Sequence, residues 1–276
     1  MFIDIHSHIN NEVFENEIEE VISRAKEAGV LKIVCVGCDL ESSKSAISLA
    51  NRFDCVYAAI GLHPNAAFEF SKEAEELILS AASNKKVVAI GEIGLDYHDF
   101  EWQIDQARRK DPSLGEISKE DFILKQKEIF IKQIELANKL NLPVMIHMRE
   151  ATNETLNILE QNRALLSAGG LMHCFNGSLE TTMRVFDLGF YISLGGAITF
   201  KNSRTMPEVL EEIGLSRVTL ETDCPYLSPE PFRGKRNEPK NIPIIAKKIA
   251  DLTFSSLKEV ETKTTQNALC VFPRLQ

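Results

Sequence analysis

The stretch Phe2-Ile3-Asp4-Ile5-His6-Ser7-His8 lies at the start of the chain and decides how the rest of it is interpreted. Its apolar, β-branched residues predict a strand, and the side chains of a strand alternate between its two faces. His6 and His8 therefore project in the same direction where the strand ends. Two neutral imidazoles on one face are suited to bind Zn²⁺ or a similar ion. The pair alone would also fit a strand that ends in a polar loop.

The composition is that of a globular chain without an internal division. Its 276 residues are 44% hydrophobic and contain no linker rich in Pro, Ser or Gly, so we expect a single domain over residues 1–276. The sequence contains no run of about 18 apolar residues, so we expect no membrane helix. We also expect no cleaved targeting segment, since the predicted ligands begin at His6. The six cysteines resemble reduced core residues, and Cys35 and Cys38 lack the second pair of a zinc or redox motif. We therefore expect a cytoplasmic protein with no required protein partner.

Apolar runs and helical patterns alternate along the chain. The runs are short and nearly continuous in Val, Ile, Leu and Ala, as expected for parallel strands that are covered on both faces. The predicted strands are residues 1–5, 32–36, 55–60, 87–90, 143–147, 170–174, 190–194 and 217–220. The predicted helices are residues 13–28, 42–52, 72–82, 119–140, 152–161, 179–188, 205–213 and 242–252, with a final helix at 255–269. This alternation predicts an α/β fold, a single (β/α)₈ TIM barrel. A doubly wound open sheet is the alternative, but it would need a Gly-rich phosphate motif where His6 stands.

The spacing of the predicted strands is broken once, after the fourth strand. Most strand starts are 20 to 32 residues apart, but those at Val87 and Pro143 are 56 apart. The surplus lies at residues 98–116, a charged stretch that contains the only tryptophan, Trp102. It follows the carboxyl end of a strand, where barrels place their active-site loops. We therefore expect a lid or a substrate-shaping insertion, and a solvated loop without function is the alternative.

Residues that can bind metal follow most of the predicted strands, and the strand ends of a barrel surround one mouth. These residues are His6, His8, Glu92, His147, His173 and Asp223. We predict a binuclear site in which one ion is bound by His6, His8, Asp223 and one oxygen of Glu92. The second ion would be bound by the other oxygen of Glu92, His147 and His173. Two bridged divalent ions suit a displacement at phosphorus, so we expect an anionic substrate.

Seven segments of the chain carry, in order, a resemblance to a known family. They are residues 2–8, 61–64, 91–97, 143–147, 173–175, 221–227 and 233–239. Together they resemble the TatD family of metal-dependent deoxyribonucleases. The resemblance implies a TIM-barrel hydrolase of the amidohydrolase superfamily that cuts DNA phosphodiesters with the help of divalent cations. His98, where an aromatic residue is commoner, and the insertion that follows it depart from the family pattern.

The resemblance also implies roles for individual residues. It marks His6, His8, Glu92, His147, His173 and Asp223 as metal ligands and His63 as a contact for the substrate phosphate. We expect the catalytic residues to be Asp223, Glu92 and His63. A metal-activated water would be the nucleophile, and Asp223 would accept its proton. Asp96 and Glu221 would not bind metal themselves but would orient the ligands.

Cationic residues near the mouth predict contacts with the DNA backbone. Arg149 follows the fifth strand and can grip a phosphate with its planar guanidinium, although pairing with a surface carboxylate is the alternative. Arg233, Lys235 and Arg236 form a basic cluster after the eighth strand, with a solvated turn as the alternative. The net charge of −9 argues against extended binding to duplex DNA. We expect the protein to grip single-strand ends of DNA, as an exonuclease does.

Three other functions are alternatives to the nuclease. A metal-dependent hydrolase of another ester or amide, for example an aminoacyl-ester deacylase, would use the same ligands. Related barrels bridge their metals through a carboxylated lysine, and Glu92 at the end of the fourth strand favours the nuclease instead. The complete ligand set opposes a scaffold without activity, and nothing in the sequence favours a regulatory binding protein. The two divalent ions could be Zn²⁺, Mg²⁺ or Mn²⁺, since mixed His and carboxylate sites accept several metals.

Overall fold

Eight parallel strands form one sheet in the computed structural model, which describes residues 1–81 and 83–276. Each strand pairs with the next strand of the chain. The sheet closes on itself, because the N–H of Asp223 donates to the carbonyl of His6 at 2.9 Å and the N–H of His8 donates to that of Cys224 at 2.8 Å. The predicted (β/α)₈ barrel is therefore confirmed. The strands are β1 (Phe2–Ser7), β2 (Val30–Val36), β3 (Val56–Ile60), β4 (Val87–Asp96), β5 (Val144–Arg149), β6 (Gly170–Met172), β7 (Tyr191–Leu194) and β8 (Val218–Leu220).

Helices connect the strands and cover the outside of the barrel. They are α1 (Ile18–Glu27), α2 (Leu40–Arg52), α3 (Lys72–Ala81), α4 (Phe100–Lys110), α5 (Lys119–Leu140), α6 (Thr152–Gln161), α7 (Leu179–Asp187), α8 (Thr205–Ile213), α9 (Ile242–Leu252) and α10 (Leu257–Val271). Within the described residues, no helix has the length and apolar character that crossing a bilayer requires.

The bounds of the predicted helices agree with the structure to within two residues where they are described, except for the first helix. The helix predicted at 13–28 is divided, because Asn11 caps a separate 3₁₀ turn (Glu12–Phe14) and α1 begins only at Ile18. The final helix begins at Leu257 and not at Ser255, since the side chain of Ser256 accepts a hydrogen bond from the N–H of Glu259 and caps it. The predicted end of the third helix, Ala82, lies outside the described residues.

The prediction that the insertion could be a solvated loop is wrong. Residues 98–116 contain α4 and a 3₁₀ turn (Pro112–Leu114), and Phe100 and Ala107 on α4 pack with Phe122 of α5 in a small apolar cluster. Trp102, by contrast, is 52% exposed. The insertion is therefore a packed helix, held by its apolar face.

The carboxyl-terminal segment covers the end of the barrel opposite the mouth. Phe272 and Leu275 join an apolar cluster with Ile5 and residues from β2 to β6 inside the barrel. The guanidinium of Arg274 donates to the carbonyl of Val87, at the beginning of β4, at 2.8 Å. The amino-terminal ends of the strands are thus closed, and the carboxyl-terminal ends are left for chemistry.

Candidate metal centre

The predicted metal ligands lie together at the carboxyl-terminal ends of the strands. His6 belongs to β1 and His8 follows it, Glu92 lies within β4 and His147 within β5, and His173 and Asp223 follow β6 and β8. β4 is longer than the predicted strand at 87–90, so Glu92 is held by a strand on both sides. All six residues that the sequence singled out are brought into one cluster.

Glu92 lies at the centre of this cluster and is only 3% exposed. Its Oε2 faces His6 and His8, with Nε2 atoms at 3.5 and 3.8 Å. Its Oε1 faces the Nδ1 of His147 at 2.6 Å and the Nε2 of His173 at 2.8 Å. The two carboxylate oxygens therefore face two separate pairs of imidazoles.

Asp223 completes the group of ligands on the Oε2 side. Its Oδ1 lies 3.3 Å from the Nε2 of His8 and 3.6 Å from that of His6, and these two nitrogens are 3.1 Å apart. Donor atoms bound tetrahedrally to one ion at about 2 Å lie about 3.3 Å from one another. The spacing and the chemistry of the donors on this side therefore fit a divalent ion.

The charges of the cluster are balanced between carboxylates and imidazoles. Burial tends to raise the pKa of Glu92, but the imidazoles of His173, His63 and His6 and a hydrogen bond from His147 hold this pKa well below its usual value. Burial tends to lower the pKa of His173, yet Glu92 and Glu221 raise it well above the usual value. The cluster thus provides anionic oxygens together with imidazoles that can exchange a proton for a metal ion.

Residues behind the ligands fix the orientation of the imidazoles. The Nε2 of His147 lies 3.1 Å from Oδ2 of Asp96, and this contact directs its Nδ1 towards Glu92. The N–H of Cys174 donates to Oε1 of Glu221 at 2.8 Å, and this oxygen lies 3.6 Å from the Nδ1 of His173. Asp96 and Glu221 therefore lie beside the ligands that they were predicted to support. Among the described residues, the buried Nδ1 of His173 and Oε2 of Glu221 have no hydrogen-bond partner.

His63 lies beside the cluster in a different role. The N–H of Asn65 donates to its Nδ1 at 3.1 Å, so in the neutral ring the proton is on Nε2, which lies 3.7 Å from Oε1 of Glu92. Burial and the neighbouring His147 lower the pKa of His63 to about 3. His63 is therefore a neutral hydrogen-bond donor that faces the centre, which suits contact with a phosphate better than metal ligation.

Two functional features were missed in the sequence. Asp4 is fully buried and accepts hydrogen bonds from the N–H of Thr222 at 2.9 Å and from its hydroxyl at 2.5 Å, which ties β1 to the segment that carries Asp223. Burial raises the pKa of Asp4 to about 8. The alternation of the strand could have indicated this, since Asp4 lies on the same face as His6 and His8.

The second missed feature is a pair of buried glutamines. Gln126 of α5 accepts a hydrogen bond from the N–H of Asp96 at 3.0 Å and donates to Gln103 of α4 at 2.9 Å. Gln103 in turn donates to Oδ1 of Asp96 at 3.4 Å. The insertion is therefore linked to the candidate metal centre through Asp96 and His147, which its charged composition did not indicate.

The predicted phosphate contacts are distributed around the mouth. Arg149 is exposed, at the end of β5. The guanidinium of Arg233 lies over the ring of Phe200 at 4.2 Å, and Lys235 is exposed nearby. Arg236 is bound to carboxylates, with Nη1 2.6 Å from Glu17 and Nη2 3.0 Å from Glu238. Contact with DNA stays a prediction for all four of these side chains.

A cysteine also borders the cluster. Cys38 has its Sγ 3.7 Å from Oε2 of Glu92 and 3.8 Å from the Nδ1 of His8. Cys35 is buried, and all six cysteines are free thiols.

Comparisons with known proteins support the fold. A family model described as TatD related DNase matches residues 3–273. An uncharacterized metal-dependent hydrolase of Bacillus subtilis (strain 168), YabD, is 42% identical over 272 residues, which are 99% of each chain. Human TATDN3, named a deoxyribonuclease, is 31% identical over 99% of this chain and 95% of its own length. The crystal structure of YJJV, a TatD homologue from Escherichia coli K12, superposes with a TM-score of 0.86 at 28% identity and covers 99% of this chain and 98% of its own.

Proposed function

This chain belongs to the family of TatD-related DNases, and we propose that it is a divalent-metal-dependent deoxyribonuclease that removes nucleotides from the ends of single DNA strands. The family consists of metal-dependent hydrolases, and one human relative is named a deoxyribonuclease. The observation that carries the proposal is the position of Glu92, whose two oxygens face separate pairs of imidazoles at 2.6 to 3.8 Å. Such a carboxylate is suited to bridge two ions.

The residues would divide between the two ions as their positions suggest. His6, His8, Asp223 and Oε2 of Glu92 would hold one ion, and His147, His173 and Oε1 of Glu92 would hold the other. Nitrogen and carboxylate donors of this kind are accepted by Zn²⁺ and Mn²⁺, and Mg²⁺ favours the oxygens. When bound, the ions would polarise a phosphate and lower the pKa of a coordinated water.

Asp223 and His63 are placed for the chemical step. Burial tends to raise the pKa of Asp223, but the hydrogen bond from His8 and the nearby imidazoles of His6 and His173 together lower it below its usual value. Asp223 is therefore ionised and can accept a proton from the attacking water. The Nε2–H of His63 points towards Glu92 and can donate to a phosphate oxygen that enters the cluster. Asp223, Glu92 and His63 are therefore our proposed catalytic residues.

The net charge of the protein favours binding to the ends of single DNA strands over binding along duplex DNA. The chain carries a net charge of −9, so the cations at the mouth must act locally. We propose that Arg149, Arg233 and Lys235 contact backbone phosphates. Arg236 would have to break its ion pairs with Glu17 and Glu238 to join them.

Two further expectations belong to this proposal. We propose that residues 1–276 form one domain, since the family model extends over residues 3–273. We also propose that the protein acts in the cytoplasm, because six free thiols suit a reducing compartment.

Digestion of end-labelled DNA tests the proposal. The purified protein should shorten a single-stranded oligonucleotide stepwise from one end when Mg²⁺, Mn²⁺ or Zn²⁺ is present, and not in a chelator. Aminoacyl esters and simple amides are incubated side by side with the DNA. Hydrolysis of these esters without digestion of DNA would reject the nuclease in favour of a deacylase. Internal cuts in a circular single strand would reject the exonuclease mode alone.

A further inference from the structure

A cavity of about 240 Å³ opens beside the metal centre, on the same face of the barrel. It lies between the segments that follow β6 and β7 and the beginning of α8. Buried apolar side chains, among them Phe175, Ile198 and Met206, line it together with the half-buried Phe200. The exposed amides of Asn176 and Asn202 also line it. The cavity thus combines aromatic and apolar surface with amide groups that can form hydrogen bonds.

Two residues that line the cavity lie next to residues of the candidate metal centre. Cys174 lines it, directly follows His173 and donates its N–H to Glu221 at 2.8 Å. Gly195 lines it as well, and a Cβ added to Gly195 would lie 3.3 Å from Cγ of Glu221. A molecule whose reacting group lies at the metal ligands would therefore have its neighbouring group at the opening of this cavity.

The lining favours a flat heteroaromatic ring over an aliphatic chain. Bases of single-stranded nucleic acid are bound by stacking on aromatic side chains, and amide side chains bind the edges of bases. Arg233 adds a positive charge at the edge of the cavity, since its guanidinium lies 4.2 Å from the centre of the Phe200 ring. A nucleotide needs these three features together, an apolar site for the base, polar groups for its edge and a cation for its phosphate.

We propose that this cavity binds the unpaired nucleobase of the terminal nucleotide, next to the phosphodiester that is cut. The inference rests on the proposed deoxyribonuclease function and adds a site for the base to it. It explains how a protein with a net charge of −9 could hold a strand end, because stacking supplements the few cationic contacts. It also requires an unpaired end, since a base within a duplex is not free to enter.

Binding of matched strands tests the inference without depending on cleavage. Two fluorescent phosphorothioate oligonucleotides are compared at a fixed concentration of Mg²⁺, one with all bases and one with an abasic residue at its terminus. Each terminus is tested in turn. The protein should bind the complete strand about tenfold or more tightly at one terminus, which is the usual size of a base–aromatic contact. Equal dissociation constants at both termini would overturn the inference.

Variants of the cavity show where the preference arises. Phe200→Ala, which removes one wall, and Ala197→Leu, which fills the space, should both reduce the preference to less than about threefold. In both variants, the affinity for the abasic strand should fall less than the affinity for the complete strand. Phe254→Ala is the matched control, because Phe254 is 93% exposed after α9 and should leave the preference intact. An equal loss of affinity for both strands in Phe200→Ala and Ala197→Leu would mean that the cavity has only a structural role and would overturn the inference.

The outcome is separable from that of the proposed function. A preference for the complete strand without any digestion of unmodified DNA would refute the nuclease and support the base site. Digestion of DNA without a preference for the complete strand would support the nuclease and refute the base site.

Discussion

At the scale of single residues, the metal centre depends on side chains that hold other side chains. Glu92 can face two pairs of imidazoles because β4 continues past it and approaches β5 closely. Gly94 allows this approach: it has φ +149°, and a Cβ there would lie 1.9 Å from the carbonyl oxygen of His147. Only glycine is tolerated under both conditions. Asp96, two residues later, then orients the ring of His147.

Replacing Asp96 should weaken the metal site without unfolding the protein. Asp96→Asn keeps the shape of the side chain but removes the charge that orients His147, so the affinity for metal should fall about 10- to 100-fold. Titration with Zn²⁺ measures the affinity, and circular dichroism checks the fold. Asp105→Asn is the matched control, since Asp105 lies on the surface of α4 and pairs with Arg109. Unchanged metal affinity in Asp96→Asn would show that His147 is oriented by other contacts.

Most residues of the centre could be predicted because ligand chemistry restricts them to a few residue types at strand ends. His6, His8 and His173 follow apolar runs and are visible in one sequence. Asp4 was missed since a single acidic residue inside a strand is ambiguous until Thr222, which is 218 positions away, is seen to donate to it. Contacts between distant segments carry no local pattern.

At the scale of the elements, α4 shows how a polar sequence can conceal a packed helix. Its charged residues dominate the composition, but Phe100 and Ala107 are buried on the side that faces α5. Their spacing of seven residues is helical and was a signal that could have been used. The sequence also did not indicate that β4 continues beyond Ile90, because Gly91, Glu92 and Gly94 are residues typical of a loop.

Two aromatic residues of α4 should differ strongly in their effect on stability. Phe100 is 9% exposed and packs against Tyr97 and Phe122, with ring centroids at 5.5 and 6.4 Å. Phe100→Ala should lower the free energy of unfolding by about 3 kcal/mol. Trp102 is 52% exposed, and Trp102→Ala should change this free energy by less than about 0.5 kcal/mol. Denaturant unfolding compares the two variants, and equal effects would show that α4 is not packed as described.

An ion-pair cluster fastens the segment after β8 to α1 and should make stability depend on pH. Glu238 lies 2.7 Å from Arg24, 3.0 Å from Arg236 and 3.2 Å from Lys240. Burial tends to raise the pKa of Glu238, but the hydrogen bonds from these cations outweigh it and lower the pKa below its usual value. A lowered pKa in the folded state stabilises the protein above the unfolded pKa, and this contribution is lost as the pH falls.

The free energy of unfolding should therefore fall between about pH 5 and pH 3, and less steeply in Glu238→Gln than in the unaltered protein. At pH 7 the variant should be less stable by about 2 kcal/mol, because Arg24 loses a buried partner. Denaturant unfolding across this range measures both effects. Glu211→Gln, at an exposed position of α8, is the control and should keep the original slope. Parallel slopes for all three proteins would contradict the proposed role of the cluster.

At the scale of the whole molecule, a net charge of −9 limits how DNA can be held. We propose that two or three of the cationic side chains Arg149, Arg233 and Lys235 contact phosphates. A single strand bound by this number of contacts should show a slope of about −1.5 to −2 for log affinity against log salt. Binding of a phosphorothioate strand at fixed metal and varied NaCl provides the slope. A value steeper than about −4 would mean an extended basic groove and would reject the gripping of strand ends.

The central claim is that Glu92 joins two divalent ions, and counting the ions bound by each protein tests it most directly. Isothermal titration of chelator-treated protein with Zn²⁺ should give two ions per chain. Glu92→Gln, which leaves a neutral amide between the same imidazoles, should lose at least one of the two ions and reduce DNA hydrolysis at least about 100-fold, with its circular dichroism unchanged. One ion per chain in the unaltered protein, or two tightly bound ions in Glu92→Gln, would contradict the binuclear site.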